Sequence, residues 1–280
     1  MKIGMNLLLW TARVGPEHYP LLKELKAAGF DGVEIPVFEG TAKDYRELGA
    51  VLRDNGLGAT AVTVMSPETN PISPDEKIRS AARDRLQWVL DNCAEFQCEA
   101  LCGPLHSALG VFSGTGPTEE ELERGVAFFQ EIAGYAGQRR VQLVLEYLNR
   151  FENYFLTTAE DAFRFVEKVN RPECGLMWDT FHAHIEEKSV APLEKIKSRL
   201  MHVHISENDR GTPGTGQVRW DENFSALRAI GYDRWMVIEA FGRALPELAA
   251  ATRVWRDFDD AKALPVAGLQ FIREKWAAAR

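Results

Sequence analysis

Late in the chain, four apolar stretches run into side chains that bind cations or carry protons. VQLVLEYL (141–148) brings Glu146, CGLMWD (174–179) ends on Asp179, LMHVHIS (200–206) carries His204, and WMVIEAF (235–241) holds Glu239. Three carboxylates and one imidazole are hard oxygen and nitrogen donors, suited to a divalent ion such as Mn²⁺, Co²⁺ or Mg²⁺. Carboxylates crowded together repel one another unless a cation intervenes. Each would otherwise be a polar group set against a core, which costs free energy unless it is paired or metal-bound. Three residues beyond Asp179 stands His182, in MWDTFHAHIEE (177–187). The competing reading of that spacing makes Asp179 a helix cap and His182 a surface residue.

Such side chains work only if the fold brings them together. Short apolar runs alternate with longer amphipathic stretches along the whole chain, the pattern of repeated β/α units. Strands are expected at 2–10, 32–37, 59–65, 99–105, 141–148, 174–179, 200–206 and 235–241, with helices at 19–30, 80–96 and 118–136 among those between them. Pro20 near the first turn, and Thr118 with Glu121 as a capping box, mark two helix starts. Eight strand-like runs in one undivided chain point to a single (β/α)8 TIM-barrel domain over residues 1–280. A doubly wound open sheet is the alternative, but no G-x-G-x-x-G follows the first strand. A barrel places its active site at the carboxyl ends of the strands, where these residues fall. His106, His182, His184, His202 and His204, five of the six histidines, also lie at or just after a strand run.

Composition narrows the partners. With 41 acidic against 33 basic residues, a net charge of −8 argues against nucleic acid or an anionic membrane as the main partner. The four cysteines form no C-x-x-C pair, which fits a reducing compartment better than a disulfide framework. The short apolar run at the N-terminus does not make a signal peptide. A cytoplasmic enzyme, a homodimer or homotetramer with a small-molecule substrate, is the expectation.

LEYLNRFENYFLTTAEDA (145–162), MWDTFHAHIEE (177–187), HVHISENDRGTPGTG (202–216), VIEAF (237–241) and VWRD (254–257) together resemble the ketose 3-epimerases, the D-tagatose, D-psicose (allulose) and L-ribulose 3-epimerases of the xylose-isomerase-like barrels. The resemblance implies Glu146, Asp179, His204 and Glu239 as ligands of a divalent metal, Mn²⁺ first, with Glu146 and Glu239 as the catalytic pair. It implies that Glu152, His182 and Arg210 contact the sugar. Trp10 at the end of the first run, His106 in GPLHSALGVFSG (103–114) and Phe241 after Glu239 are expected on the substrate side as well. The chemistry stands on its own terms. A proton α to a ketone needs a Lewis acid to stabilise the enediolate that its loss creates, and epimerisation needs a base on one face of C3 and an acid on the other. His182 and Arg210 would cradle charge on O2.

Other residues also have bland readings. Glu152 has Arg150 and Lys168 nearby as ion-pair partners, and Glu34, which falls late in its strand run, has no assigned chemistry beyond a structural ion pair. GTPGTG (211–216) lacks the G-K-[ST] of a phosphate loop and reads as a lid or plain loop. Asn6, Val14, Ala108 and Leu109 stand where the family tends to carry aromatics, which implies a reshaped pocket and admits a keto-sugar bearing an aglycone. Related sugar isomerases of the hydroxypyruvate or aldose–ketose type, and lyases of the inosose-dehydratase or C-glycoside-deglycosidase type, are the alternatives on the same frame. A metal-dependent endonuclease fits less well, because it calls for more histidines and a basic groove.

Overall fold

Residues 1–256 and 259–279 are described by the computed structural model, so Asp257 of the VWRD stretch lies outside the described residues. Eight strands close on themselves in chain order. They are β1 (Lys2–Asn6), β2 (Gly32–Pro36), β3 (Gly58–Val62), β4 (Ala100–Gly103), β5 (Gln142–Leu145), β6 (Cys174–Asp179), β7 (Leu200–Ile205) and β8 (Trp235–Ile238). All eight neighbouring pairs are parallel. Among the described residues the helices are α1 (Tyr19–Ala28), α2 (Ala42–Asp54), α3 (Glu76–Glu95), α4 (Glu119–Arg139), α5 (Ala159–Val169), α6 (Thr180–Glu186), α7 (Pro192–Ile196), α8 (Trp220–Ala229), α9 (Pro246–Thr252) and α10 (Leu264–Ala278). This is the expected eight-fold barrel. Parallel strands are covered on both faces, which is why they read as unbroken apolar runs rather than as alternation.

Local chemistry sets the helix ends. Thr118 Oγ1 accepts from the Glu121 N–H at 3.2 Å while Glu121 Oε2 accepts from the Thr118 N–H at 2.8 Å, the reciprocal capping box read from the sequence. Pro20 sits in the first turn of α1, which ends at Gly29 with φ 104°, a left-handed conformation that glycine tolerates. Helix α3 begins earlier than the apolar pattern suggests, because Asp75 caps it through the Lys77 N–H.

Most strands are shorter than the apolar runs that contain them. β1 stops at Asn6, whose Oδ1 accepts the Leu8 N–H at 2.8 Å and starts a 3-10 turn over Leu7–Leu9. β5 and β8 stop one residue before Glu146 and Glu239. The residues beyond these ends are apolar because loops bury them, not because the sheet pairs them.

The lower barrel is closed by hydrocarbon. The Trp235 indole fills the end where the strands start, and a Cβ at Gly32 would stand 2.5 Å from it and 2.3 Å from the Gly58 carbonyl oxygen. Ala100, Cys102, Val144 and Met177 form a small buried cluster of strand side chains. Between barrel and helices lie Leu86, Val89, Phe129, Ile132 and Val166 among many others, all fully buried. Each such side chain contributes about 1.5–3 kcal/mol on burial. In the register, Asn6 pairs with Glu34 and Glu34 with Thr60, while Met177 pairs with His202 and Asp179 with His204. Paired residues share a face and faces alternate with period two, so these polar side chains stack above the hydrocarbon, toward the carboxyl ends.

Candidate active site

Glu146 just past β5, Asp179 closing β6, His204 late in β7 and Glu239 just past β8 converge. One donor atom from each lies within 4.8 Å of every other, and all four side chains are buried. His204 Nδ1 is the centre of the group, 3.3 Å from Glu239 Oε1, 3.7 Å from Asp179 Oδ2 and 3.9 Å from Glu146 Oε1. It has no hydrogen-bond partner among the described residues.

Asp179 fulfils both readings of its spacing. Oδ1 accepts from the Phe181 N–H at 2.6 Å and more weakly from the His182 N–H at 3.4 Å, capping α6, while Oδ2 faces the cluster. His182 is not a surface residue but fully buried. Its Nδ1 lies 3.0 Å from the Asn149 backbone N–H, which can only donate. Its Nε2 faces Arg210 Nη2, another group that can only donate, at 3.3 Å and stands 3.6 Å from Glu146 Oε1 and 3.9 Å from Asp179 Oδ2.

Arg210 Nη1 donates to Glu239 Oε2 at 2.6 Å and Ser206 Oγ at 2.8 Å, and stands 3.4 Å from Asp179 Oδ2. The guanidinium stacks over Phe181 at 3.6 Å and faces Phe241 at 4.9 Å, contacts that suit a planar cation. Its backbone has φ 65°, a conformation that costs a non-glycine residue of order 1–3 kcal/mol. Local hydrogen bonds hold it there: the Arg210 N–H donates to the Glu207 carbonyl, and the Arg210 carbonyl accepts from Phe241. The Glu207 carboxylate in turn accepts from the N–H groups of Asn208, Gly214 and Val218 and from the Trp220 indole. The GTPGTG segment is thus a loop anchored on one buried carboxylate.

Glu34, without a role in the sequence reading, lies beneath the cluster. Its oxygens accept from His204 Nε2 at 2.8 Å, Thr60 Oγ1 at 2.9 Å and Asn6 Nδ2 at 3.0 Å. His202 Nε2 is 3.1 Å away.

The charges are strongly coupled. Burial pushes Glu146 well above the usual carboxylate range, and Glu239 pushes it further. Burial acts the same way on Asp179, but His182, Arg210 and His204 outweigh it and hold the group far below its ordinary value. Burial would depress His204, yet Glu34 and Glu239 raise it well above an ordinary histidine. A nitrogen surrounded by three carboxylates demands a positive charge on or beside it.

The cavity over the cluster measures about 120 Å³, and Glu146, Glu152, His182, Arg210, Glu239 and Phe241 line it. Glu152 accepts from Asn149 Nδ2 at 2.8 Å, whereas Arg150 pairs with Glu186 and Lys168 with Glu119. Two expected substrate contacts stand elsewhere. Trp10 follows the 3-10 turn and packs half-buried against the main core, because β1 ends at Asn6 and the turn brings Leu8 to the cavity instead. His106 is fully buried behind the wall, its Nε2 on the Glu146 carbonyl at 2.9 Å and its Nδ1 near Ser107 Oγ at 3.1 Å. Burial pushes it down to about 3, so it is a neutral support for the Glu146 backbone. The apolar wall of Leu8, Phe38, Val62, Leu109, Leu148 and Leu248 draws on β3, α9 and four connections between strand and helix, and apart from Leu109 no local pattern announces it.

The donor set fits a divalent cation. Glu146, Asp179, His204 and Glu239, each with one donor atom within 4.8 Å of the others, would hold it between them. The unpartnered Nδ1 and three carboxylate oxygens match a hard, mixed O/N site.

Residues 22–274 match the family model of the xylose isomerase-like TIM barrels. The chain is 33% identical to a ketose 3-epimerase of Arthrobacter globiformis over 99% of this chain and 98% of that one. It is 31% identical to an L-ribulose 3-epimerase of a Methylomonas species, covering 89% and 88%. The crystal structure of D-psicose 3-epimerase with D-tagatose from Clostridium cellulolyticum H10 superposes with a TM-score of 0.91 at 31% identity over 99% of each chain.

Proposed function

Since this chain belongs to the ketose 3-epimerases, sugar epimerases of the xylose isomerase-like TIM barrels, we propose that it inverts C3 of a free ketose with the help of one divalent cation, Mn²⁺ first. Glu146, Asp179, His204 and Glu239 hold the ion. The observation that carries this reading is His204 Nδ1, unpartnered and ringed by three carboxylates. When bound, the ion supplies Lewis-acid stabilisation of the negative charge that develops on the sugar oxygens.

Glu146 and Glu239 enter the barrel mouth after β5 and β8, three strands apart around the barrel. One removes the C3 proton on its face and the other returns a proton on the opposite face, which inverts the centre. The guanidinium of Arg210, with the His182 imidazole against its Nη2, faces the same space as a fixed positive charge, and the pair holds the charge on O2 without reorganisation. Glu152 binds a sugar hydroxyl. The apolar wall excludes water and strengthens each of these interactions.

A second cavity of about 480 Å³ shares Leu109, Glu152 and Ala251 with the first and presents Phe112, Phe151 and Phe181. It favours, as the second reading, a keto-sugar carrying an apolar substituent at its far end.

Turnover of D-psicose in D₂O with Mn²⁺, followed by NMR, tests the choice. Deuterium at C3 of D-fructose is expected. Deuterium at C1 or C2 alone would indicate an aldose–ketose isomerase, and activity confined to 3-keto-glycosides would favour the second reading.

A further inference from the structure

Glu34 has 0% exposure and sits on β2, outside the four side chains of the cluster. Both of its oxygens are committed: Oε1 to His204 Nε2 and Asn6 Nδ2, Oε2 to Thr60 Oγ1 with His202 close by. A carboxylate accepts and never donates. The proton of the neutral His204 ring is therefore on Nε2, and the lone pair of Nδ1 is directed at Glu146, Asp179 and Glu239.

The geometry assigns to Glu34 the part of a positioning residue, which fixes the tautomer and the plane of His204 so that Nδ1 is presented to a divalent cation. The assignment rests on the ligand set proposed above. A carboxylate behind a ligating imidazole both orients the ring and raises its donor strength. Asn6 and Thr60, the register neighbours of Glu34 on β1 and β3, hold the carboxylate in turn, so three strands combine to aim one nitrogen on a fourth.

Glu34, His202 and His204 also lie close enough together to hold an ion of their own. The contacts argue for hydrogen bonding instead. The 2.8 Å from His204 Nε2 to Glu34 Oε1 is a hydrogen-bond length, and donors from Asn6 and Thr60 already occupy the carboxylate. One ion per chain is the consequence.

Calorimetric titration of metal-stripped protein with Mn²⁺ tests this on wild type, Glu34→Gln and Glu34→Ala. Wild type should bind one Mn²⁺ per chain. Glu34→Ala should bind about 10–100-fold more weakly. Glu34→Gln, whose amide oxygen still accepts from Nε2, should fall between them. Equal Kd in all three proteins would overturn the assignment while leaving the ligand set intact. Two ions in wild type and one in Glu34→Ala would make Glu34 a ligand and overturn it as well. Wild type that takes up no Mn²⁺ would remove the ligand set itself. A measurement without variants covers the case in which the substitutions fail to fold. In Mg²⁺-loaded wild type labelled with ¹⁵N-histidine, His204 should carry its proton on Nε2; a proton on Nδ1 refutes the proposal.

Discussion

Asp179→Asn separates two jobs that one side chain performs. Oδ1 caps α6 through Phe181 and His182, while Oδ2 faces the cluster. Asparagine keeps a capping oxygen and ranks with aspartate as an N-cap, but it puts a neutral amide where the second carboxylate oxygen was. The capping change alone costs a few tenths of a kcal/mol, but the amide also removes the charge that Arg210 and His204 hold ionised, so at roughly 2–4 °C of Tm per kcal/mol the metal-free protein should melt several degrees below wild type. Metal binding should change far more. Losing a group that only orients a ligand costs 10–100-fold in affinity, so losing a ligand should cost at least about 100-fold, or about 2.7 kcal/mol. If wild type sits at about 100 times its Kd, Mn²⁺ stabilises it by about 2.7 kcal/mol, and the variant should lose nearly all of that gain. Thermal melts with and without 1 mM Mn²⁺, paired with calorimetric titration, read both quantities. A variant that keeps the full Mn²⁺-induced rise in Tm would refute the ligand role. Asp179→Ala, which removes the cap as well as the charge, should melt lower still in the metal-free state, and an alanine variant that melts no lower than the asparagine one would refute the capping role.

Arg210→Ala should leave one Mn²⁺ bound per chain and lower kcat by about 10²–10³, whereas Arg210→Lys should recover little because the planar stack between Phe181 and Phe241 is lost; an empty site in the alanine variant would mean that Arg210 is needed to assemble the ligands. Replacing Glu146 or Glu239 by Gln should each cost about 10²–10⁴ in rate through proton transfer alone, and measurable C3 inversion near the wild-type rate in either variant would end the two-base mechanism. His204, raised above its ordinary value, stabilises the metal-free fold fully below about pH 6.5, and this contribution is lost as pH rises through its folded pKa. Above about pH 7.5, where the downward-shifted His106, His182 and His202 are neutral in folded and unfolded chains alike, the metal-free Tm should accordingly fall with rising pH and Mn²⁺ should flatten the fall; a metal-free Tm that rises there would contradict the charged His204. Because Mn²⁺ must displace that proton, binding should release protons below the elevated pKa, seen as a calorimetric heat that varies with the ionisation enthalpy of the buffer.

The sequence by itself determined the barrel, the four side chains at its mouth and several helix ends. Each of these is local information. A strand buried on both faces must be a continuous apolar run, so Asp179 or Glu239 at the end of one is conspicuous against its neighbours. A capping box needs only Thr118 and Glu121 three residues apart. The family's spacings likewise singled out Glu152, His182 and Arg210, which all reach the cavity. Tertiary structure decided what depends on which segments meet and where each strand stops. Trp10 leaves the cavity and Leu8 enters it because a single side-chain hydrogen bond at Asn6 ends β1 four residues early. His106 turns to the Glu146 carbonyl because β4 and β5 are neighbours in space. Glu34 was visible as a charge in an apolar run, but its part depends on register: only the pairing of Asn6, Glu34 and Thr60 across three strands, and the closure of the barrel that brings His204 over them, gives that carboxylate something to hold. Side-chain period and burial are written along the chain, whereas partners across a closed barrel are not, because contact there is set by backbone register between segments as far as 233 residues apart.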